Sequence, residues 1–196
     1  MPDTIVLGMG NPILGDDGAG YRIAELLKQT NLWRGGSKVI PTSCDWICLL
    51  DQLDGFRRLI VIDTISTGEH SPGTLLKIPI RELCSRTPLY SIHHLSIPEA
   101  LKAGTAMGLR MPESVRVYAI EIEPPRRYSE RLSPQISSRI GPIADEIAAI
   151  EAATAPPGRP PSQREEDHAR EEKRGAKPSD PSGSGDGPGP VREEAG

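Results

Sequence analysis

The run Leu59-Ile60-Val61-Ile62 is apolar at every position, with Arg58 before it and Asp63 after it. A strand with one face in water alternates apolar and polar side chains, so an unbroken apolar run that ends in a charge reads as a strand covered on both faces. Covering both faces takes a layer of helices above and another below. The flanking sequence supplies them. Thr4 to Gly8 forms a first buried strand that ends in Gly8-Met9-Gly10-Asn11-Pro12. Ala19, Ile23, Leu26 and Leu27 then fall on one face of a helix ending near Thr30 to Gly35. Lys38 to Thr42 predicts a second strand, and Trp46, Leu49, Leu50 and Leu53 a second amphipathic helix before Gly55.

Beyond Asp63 the turn residues Gly68, Pro72 and Gly73 precede an edge strand over Thr74 to Ile78. Ser96-Ile97-Pro98-Glu99 matches a capping box for a helix running to about Gly104, and Ser114 to Glu121 reads as another strand. Ser133-Pro134 caps a long helix on which Ile136, Ile140, Ile143, Ile147 and Ile150 form one stripe. Alternating strands and helices with right-handed crossovers give an α/β fold: a doubly wound, mostly parallel twisted sheet with helices on both faces, in three layers α/β/α.

Composition changes sharply near position 155. Beyond Ala155 there is no Leu, Ile, Phe, Trp, Tyr, Met or Cys, and the segment from Pro156 to Gly196 holds 8 Pro and 7 Gly. Ordering backbone costs roughly 1 to 2 kcal/mol per residue, which such a segment cannot offset by burial. Residues 1–154 are therefore expected to form one α/β domain and 155–196 a disordered tail. The formal net charge is −4 without a Lys/Arg stripe, which disfavours nucleic acid or an anionic membrane as partner. No stretch approaches the ~18 to 20 apolar residues of a membrane span. The amino-terminal residues carry no cationic segment before the first apolar run, so a cytoplasmic location is expected, which suits free thiols.

In an open parallel sheet the ligand site lies beyond the carboxyl ends of the strands, where successive crossovers leave for opposite faces. Asp16 and Asp17, between the first strand and first helix, and Asp63, at the exit of the third strand, fall there. Asp16 or Asp17 could also simply cap the helix. The glycine loop is not a dinucleotide fingerprint, because Ile13 stands at the third glycine position and two acids occupy the space a pyrophosphate needs. His93 and His94 precede the capped helix. Should Asp17, Asp63 and His93 converge, two carboxylates and an imidazole would suit a first-row divalent ion. Cys44 and Cys48, on the second predicted helix, and the isolated Cys84 read as core residues, and no G-x-S-x-G elbow is present. Glu121 and Glu123 follow a strand and are expected to face solvent or a partner, with one of them able to border the cleft.

The stretch Ile5-Val6-Leu7-Gly8-Met9-Gly10-Asn11-Pro12, with Gly15-Asp16-Asp17-Gly18-Ala19-Gly20 after it, resembles the G-x-G-N-P-x-x-x-D-D-x-x-G opening of the nickel-iron hydrogenase maturation proteases. Leu59 to Asp63, Ser91-Ile92-His93-His94-Leu95, Ile122-Glu123-Pro124 and Leu132-Ser133-Pro134 follow in the same order, so that the resemblance covers about residues 4 to 150. It implies an aspartic-type endopeptidase that removes the C-terminal extension of a hydrogenase large-subunit precursor once nickel has been inserted. The family's metal-contacting residues correspond to Asp17, Asp63 and His93. The nickel belongs to the precursor, and a divalent ion on the isolated enzyme would stand in for it. The family's Asp-Gly-Thr after the second strand is replaced here by Pro41-Thr42-Ser43-Cys44-Asp45, which leaves Asp45 as at best a displaced substitute.

On this reading the enzyme is a monomer whose client is the precursor, and Asp17 or Asp16 acts as base toward a water, with polarisation of the scissile carbonyl by metal as a second contribution. Two other classes stay open: a maturation chaperone that uses the same three ligands to bind the loaded precursor without cutting it, and a small-molecule metallohydrolase that needs a metal of its own.

Overall fold

The computed structural model describes residues 3–30, 37–80 and 97–154. The expected cap at Ser96, His93, His94, Cys84 and the tail from 155 onward lie outside them. Among the described residues five strands form one sheet: β1 (Thr4–Met9), β2 (Lys38–Thr42), β3 (Arg58–Ile65), β4 (Leu75–Ile78) and β5 (Ser114–Glu121), in the order β2-β1-β3-β5-β4. The pairs β1·β2, β1·β3 and β3·β5 are parallel; only β4 runs antiparallel, on the outer side of β5. Helices α1 (Ala19–Thr30), α2 (Trp46–Leu53), α3 (Ile97–Ala106), α4 (Pro134–Ser137) and α5 (Ile140–Thr154) are the α-helices among the described residues. None is long and apolar enough to cross a membrane.

The pleat sorts the core into two layers. Val6, Ile60, Ile62, Tyr118 and Ile120 pack with Ala19, Ile23 and Leu27 of α1 and with Ile143, Ala144 and Ile147 of α5. On the opposite face Ile5, Leu7, Met9, Leu59, Val61 and Val117 pack with Trp46, Leu49, Leu50 and Leu53 of α2 and with Ile97 and Ala100 of α3. This is the doubly wound three-layer arrangement expected from Leu59 to Ile62. The crossover through α1 carries the chain from β1 to β2, and the crossover through α2 brings it back past β1 to β3, so the winding reverses between β1 and β3.

Glycine lets α1 lie unusually close to the sheet. A Cβ at Gly8 would overlap Ala24 and the carbonyl oxygen of Gly20, and a Cβ at Gly20 would overlap the carbonyl oxygens of Met9 and Ile62. Helix backbone and strand backbone are therefore in contact with no side chain between them.

The long helix expected from Ser133 is two helices. The Ser133 hydroxyl caps α4 by accepting the Ile136 N–H at 3.3 Å, but the helical run breaks at Ser138 and Arg139. Pro142 is the reason: it has no N–H to donate to Ser138, and its ring cannot pass the carbonyl of that residue in a continuous helix. It is tolerated where it stands, in the first turn of α5. Ile136, Ile143 and Ile147 are fully buried all the same, so the isoleucine stripe survives the break.

At the amino-terminal edge of the sheet a buried charge is fully paired. Glu151 of α5, 5% exposed, accepts from Arg58 at 2.6 Å, Arg116 at 2.9 Å and the Tyr118 hydroxyl at 2.7 Å. Burial, reinforced by the bond to this carboxylate, pushes the Tyr118 phenol well above its ordinary value of 10.0. At Arg116 burial opposes the charge, but the bond and the charge of Glu151 outweigh it and hold the guanidinium above its ordinary range.

Four outcomes follow from this packing. Gly20→Ala gains helix propensity of about 1 kcal/mol but must push α1 off two backbone carbonyls, and overpacking of this kind costs about 1 to 3 kcal/mol or more; urea unfolding is expected to show a net loss. Gly141→Ala, with nothing within 4 Å of the new Cβ, is expected to be neutral or stabilising. Glu151→Ala strands partly buried cations and is expected to cost about 3 kcal/mol. Because the Tyr118 phenol titrates higher in the folded than in the unfolded chain, its contribution is complete below pH 10 and is lost as pH rises beyond it. The stability difference between wild type and Tyr118→Phe should therefore be flat at neutral pH and turn against wild type in alkali.

Candidate functional site

The chain leaves β1 at Met9 and turns at Gly10, whose φ of 140° is open to glycine. A side chain there would overlap the Asp17 carbonyl, and a Cβ at Gly18 would come within 2.9 Å of the Pro12 Cα. The loop therefore folds back tightly upon itself. Asn11 braces it, its side-chain oxygen accepting the Ile13 N–H at 3.2 Å and its carbonyl accepting the Leu14 N–H at 3.0 Å. Gly15–Gly18 form a single 3-10 turn that leads directly into α1.

This turn sets both acids in the crevice where the winding reverses. One oxygen of the Asp17 carboxylate accepts the Asn11 N–H at 2.8 Å, and the other accepts the Thr64 hydroxyl at 3.3 Å. Asp17 thus joins the exit of β1 to the exit of β3. Neither acid caps the helix through its side chain: Asp16 instead accepts the Ser133 N–H at 2.6 Å, tying the loop to the start of α4. Asp63 lies on β3 opposite Ala119 of β5 and accepts the Thr64 N–H at 2.8 Å. Pleating directs Asp63 to the side of Leu59 and Val61, where α2 and α3 pack, while Thr64 reaches Asp17 on the α1 side. Asp16, Asp17 and Asp63 are each half-buried, reachable from solvent yet held by neighbouring groups.

Of the three residues expected to meet a metal, two therefore border the same crevice, linked through Thr64, and His93 lies outside the described residues. Among the described residues no group of three or more His, Cys, Asp or Glu stands close enough to hold an ion. A carboxylate offers about four lone-pair directions. The hydrogen bonds to Asp17 take up two of them, and the remainder suit an ion of the kind carboxylates bind.

Two features around the crevice had no clear signature in the sequence. Glu121, expected to face solvent or a partner, is 1% exposed and accepts the Thr67 N–H at 2.7 Å, the Thr67 hydroxyl at 2.7 Å and the Gly68 N–H at 2.8 Å. It pins the loop that leaves β3 just beyond Asp63 and Thr64, whereas Glu123 is exposed. The second is a strand-like pairing of Leu14 with Ser129: the Ser129 N–H donates to Ile13 at 2.9 Å and the Gly15 N–H donates to Ser129 at 2.6 Å. Both are pairings between distant segments, and neither leaves a local pattern.

The cysteine reading needs correction. Cys44 precedes α2 instead of lying on it, and both Cys44 and Cys48 are exposed. The apolar face of α2 is already filled by Trp46, Leu49, Leu50 and Leu53, and Cys48 falls between those positions on the outer side. Asp45 stands exposed immediately before α2, and its side chain does not cap that helix.

Comparison with known proteins shows the family and the fold. A family model described as hydrogenase maturation protease matches residues 21–150. The hydrogenase 2 maturation protease of Escherichia coli K12 is 26% identical over 149 residues, covering 74% of this chain and 88% of that protein. The hydrogenase expression/formation protein HupD of Thiocapsa roseopersicina is 25% identical over 146 residues, and the match spans 74% of this chain and 65% of HupD, just under two thirds of its length. Among solved structures, the hydrogenase maturating endopeptidase HybD from Escherichia coli aligns with a TM-score of 0.62 at 23% identity, over 78% of this chain and 93% of that one. The NiFe hydrogenase maturation protease HycI from Thermococcus kodakarensis aligns with a TM-score of 0.58 at 19% identity, over 76% of this chain and 92% of that one. The structural likenesses bear on the fold and the family model on descent: the chain belongs to the hydrogenase maturation protease family.

Proposed function

We propose that this chain is an aspartic-type endopeptidase that removes the C-terminal extension of a nickel-loaded hydrogenase large-subunit precursor, and that Asp17, Asp63 and His93 complete the coordination of the nickel which the precursor carries. The observation that carries this reading is the anchored Asp17 carboxylate. It sits at the reversal of the winding, fixed by the Asn11 N–H and the Thr64 hydroxyl, with coordination directions to spare.

The topology supports a role for His93. After α3 the chain passes Arg110, which is tied to Asp54 and Gly55 ahead of β3, and then enters β5 at Ser114, so the carboxyl end of α3 lies at the amino-terminal edge of the sheet. The start of α3 consequently points toward the opposite edge, where Asp63 lies, and on the same face of the sheet. His93 precedes Ile97, the first residue of α3, by four positions. Side chains of this kind would grip the precursor's ion only when it is present, which makes recognition a check that nickel has been inserted.

Cleavage in this reading begins with a water adding to the scissile carbonyl. Asp17 or Asp16 takes the proton and returns it to the departing amide nitrogen. The precursor's own ion, held nearby, offers a second source of polarisation for that carbonyl. The enzyme works on this single client as a cytoplasmic monomer.

Incubating the purified full chain with nickel-loaded precursor and following release of the C-terminal peptide by mass spectrometry tests the proposal. Asp17→Asn and His93→Ala are expected to give folded protein, judged by circular dichroism, that processes the precursor more slowly by about 100-fold or more. Nickel-free precursor should stay uncut. Wild-type rates in both variants would sink the assignment.

A further inference from the structure

Between β5 and α4 the chain reads Glu123-Pro124-Pro125-Arg126-Arg127-Tyr128-Ser129-Glu130-Arg131. Tyr128 is 80% exposed, and Arg126, Arg127 and Arg131 are exposed as well. Among the described residues none of these three guanidinium groups has an ion pair or hydrogen bond. Adjacent unpaired cations repel, and an aromatic ring left in water forgoes its burial, so folding gains little from either.

The loop is nevertheless firmly held. Ser129 pairs with both Ile13 and Gly15 of the site loop, and its hydroxyl bonds to the Arg131 carbonyl at 2.9 Å and the Arg131 N–H at 3.1 Å. Asp16 fastens the far end at Ser133, and Pro124-Pro125 stiffen the near end by fixing φ. The pairing sets Tyr128 beside Ile13, itself 48% exposed, on the segment that carries Asp16 and Asp17.

We propose that Ile13, Tyr128, Arg126, Arg127 and Arg131 form a docking rim that seats an acidic stretch of the precursor polypeptide beside Asp17. The proposal rests on the maturation-protease reading and names how the substrate chain is held, as distinct from its ion. Arginine forks match carboxylates, and an aromatic ring and an isoleucine next to them suit a peptide with apolar and acidic residues interleaved. In a chain of net charge −4 this segment carries three Arg against two Glu. That is too short a basic track, interrupted by carboxylates, to follow a nucleic-acid backbone. A preformed rim also lowers the ordering cost of binding.

The test compares the full-length wild type with Arg126→Ala/Arg127→Ala/Arg131→Ala and with Tyr128→Ala, using both nickel-loaded and nickel-free precursor. Binding is read by biolayer interferometry and cleavage by mass spectrometry. The triple variant is expected to raise Kd for both precursor forms by about 10-fold, as befits loss of several charge-assisted contacts. KM for the loaded form should rise in parallel while kcat stays within twofold, and most of the salt dependence of wild-type binding should vanish. Restoring charge with the corresponding triple Lys variant should recover part of the affinity, because the ionic attraction returns without the fork geometry. Kd and KM within twofold of wild type, in a variant of unchanged melting temperature, would overturn the rim. So would a wild type that binds neither precursor form. A wild type that binds both forms but never cuts would overturn the protease reading while the Kd comparison still decides the rim.

Discussion

The site depends on how closely α1 lies against β1 and β3. Gly8 and Gly20 remove the side chains that would otherwise hold the helix away, so the backbone of α1 rests on the carbonyls of Met9 and Ile62. A helix seated so low begins inside the crevice instead of above it. Its preceding turn then places Asp17 within reach of the Asn11 N–H on one strand exit and the Thr64 hydroxyl on the other. The bond to Thr64 is already 3.3 Å long, at the outer limit of useful geometry. An outward shift of α1 by even part of a van der Waals radius would break it, and Asp17 would then answer to β1 alone. Glycine at these positions is accordingly a condition of the site as well as of the packing.

Much of the fold was legible because it rests on local periodicity. The apolar run at Leu59 to Ile62 announced a strand covered on both faces, and the helical spacing of Ile23 and Leu27, or of Leu49, Leu50 and Leu53, announced what covers it. Strand β5 occupies the residues its pattern indicated, Ser114 to Glu121. The region from Ser133 to Thr154 departs from its pattern in one respect: the isoleucine stripe predicts one continuous helix, whereas Pro142 forbids continuity whatever the stripe requires. Both signals were correct, and the chain honours both by bending between α4 and α5 without losing the buried face.

The site was legible to the extent that topology alone determines it. Once the strand order reverses between β1 and β3, acids at those strand exits border the crevice, which is why the placement of Asp17 and Asp63, as distinct from their role, is readable in the sequence. Partners that join distant segments were not readable. The bond from Thr64 to Asp17 spans 47 positions, that from Thr67 to Glu121 spans 54 and that from Ser133 to Asp16 spans 117. Each is specified by the fold and not by a pattern. Glu121 shows the consequence: in sequence it looks like a charge leaving a strand for solvent, yet three donors from one loop satisfy it in the interior. The cysteines differ in the opposite sense: a residue type usually buried is expected in the core, but the apolar face of α2 is already filled by larger side chains, and Cys44 and Cys48 are exposed.

Carboxylates at opposite edges of the sheet are held in opposite ways, and the number of donors around each makes the difference. At the amino-terminal edge Glu151 is surrounded by two guanidinium groups and a phenol, so that little acceptor capacity is left and removing the charge would strand its neighbours. At the carboxyl edge Asp17 receives one amide and one hydroxyl, enough to fix its orientation and too few to saturate it. A saturated carboxylate can contribute only to stability. One that is oriented but unsaturated keeps coordination directions open at a cost in desolvation that half-burial keeps small. The parallel sheet allows both at once, because its two edges are separated by the length of the strands and the pairing at one does not reach the charge at the other.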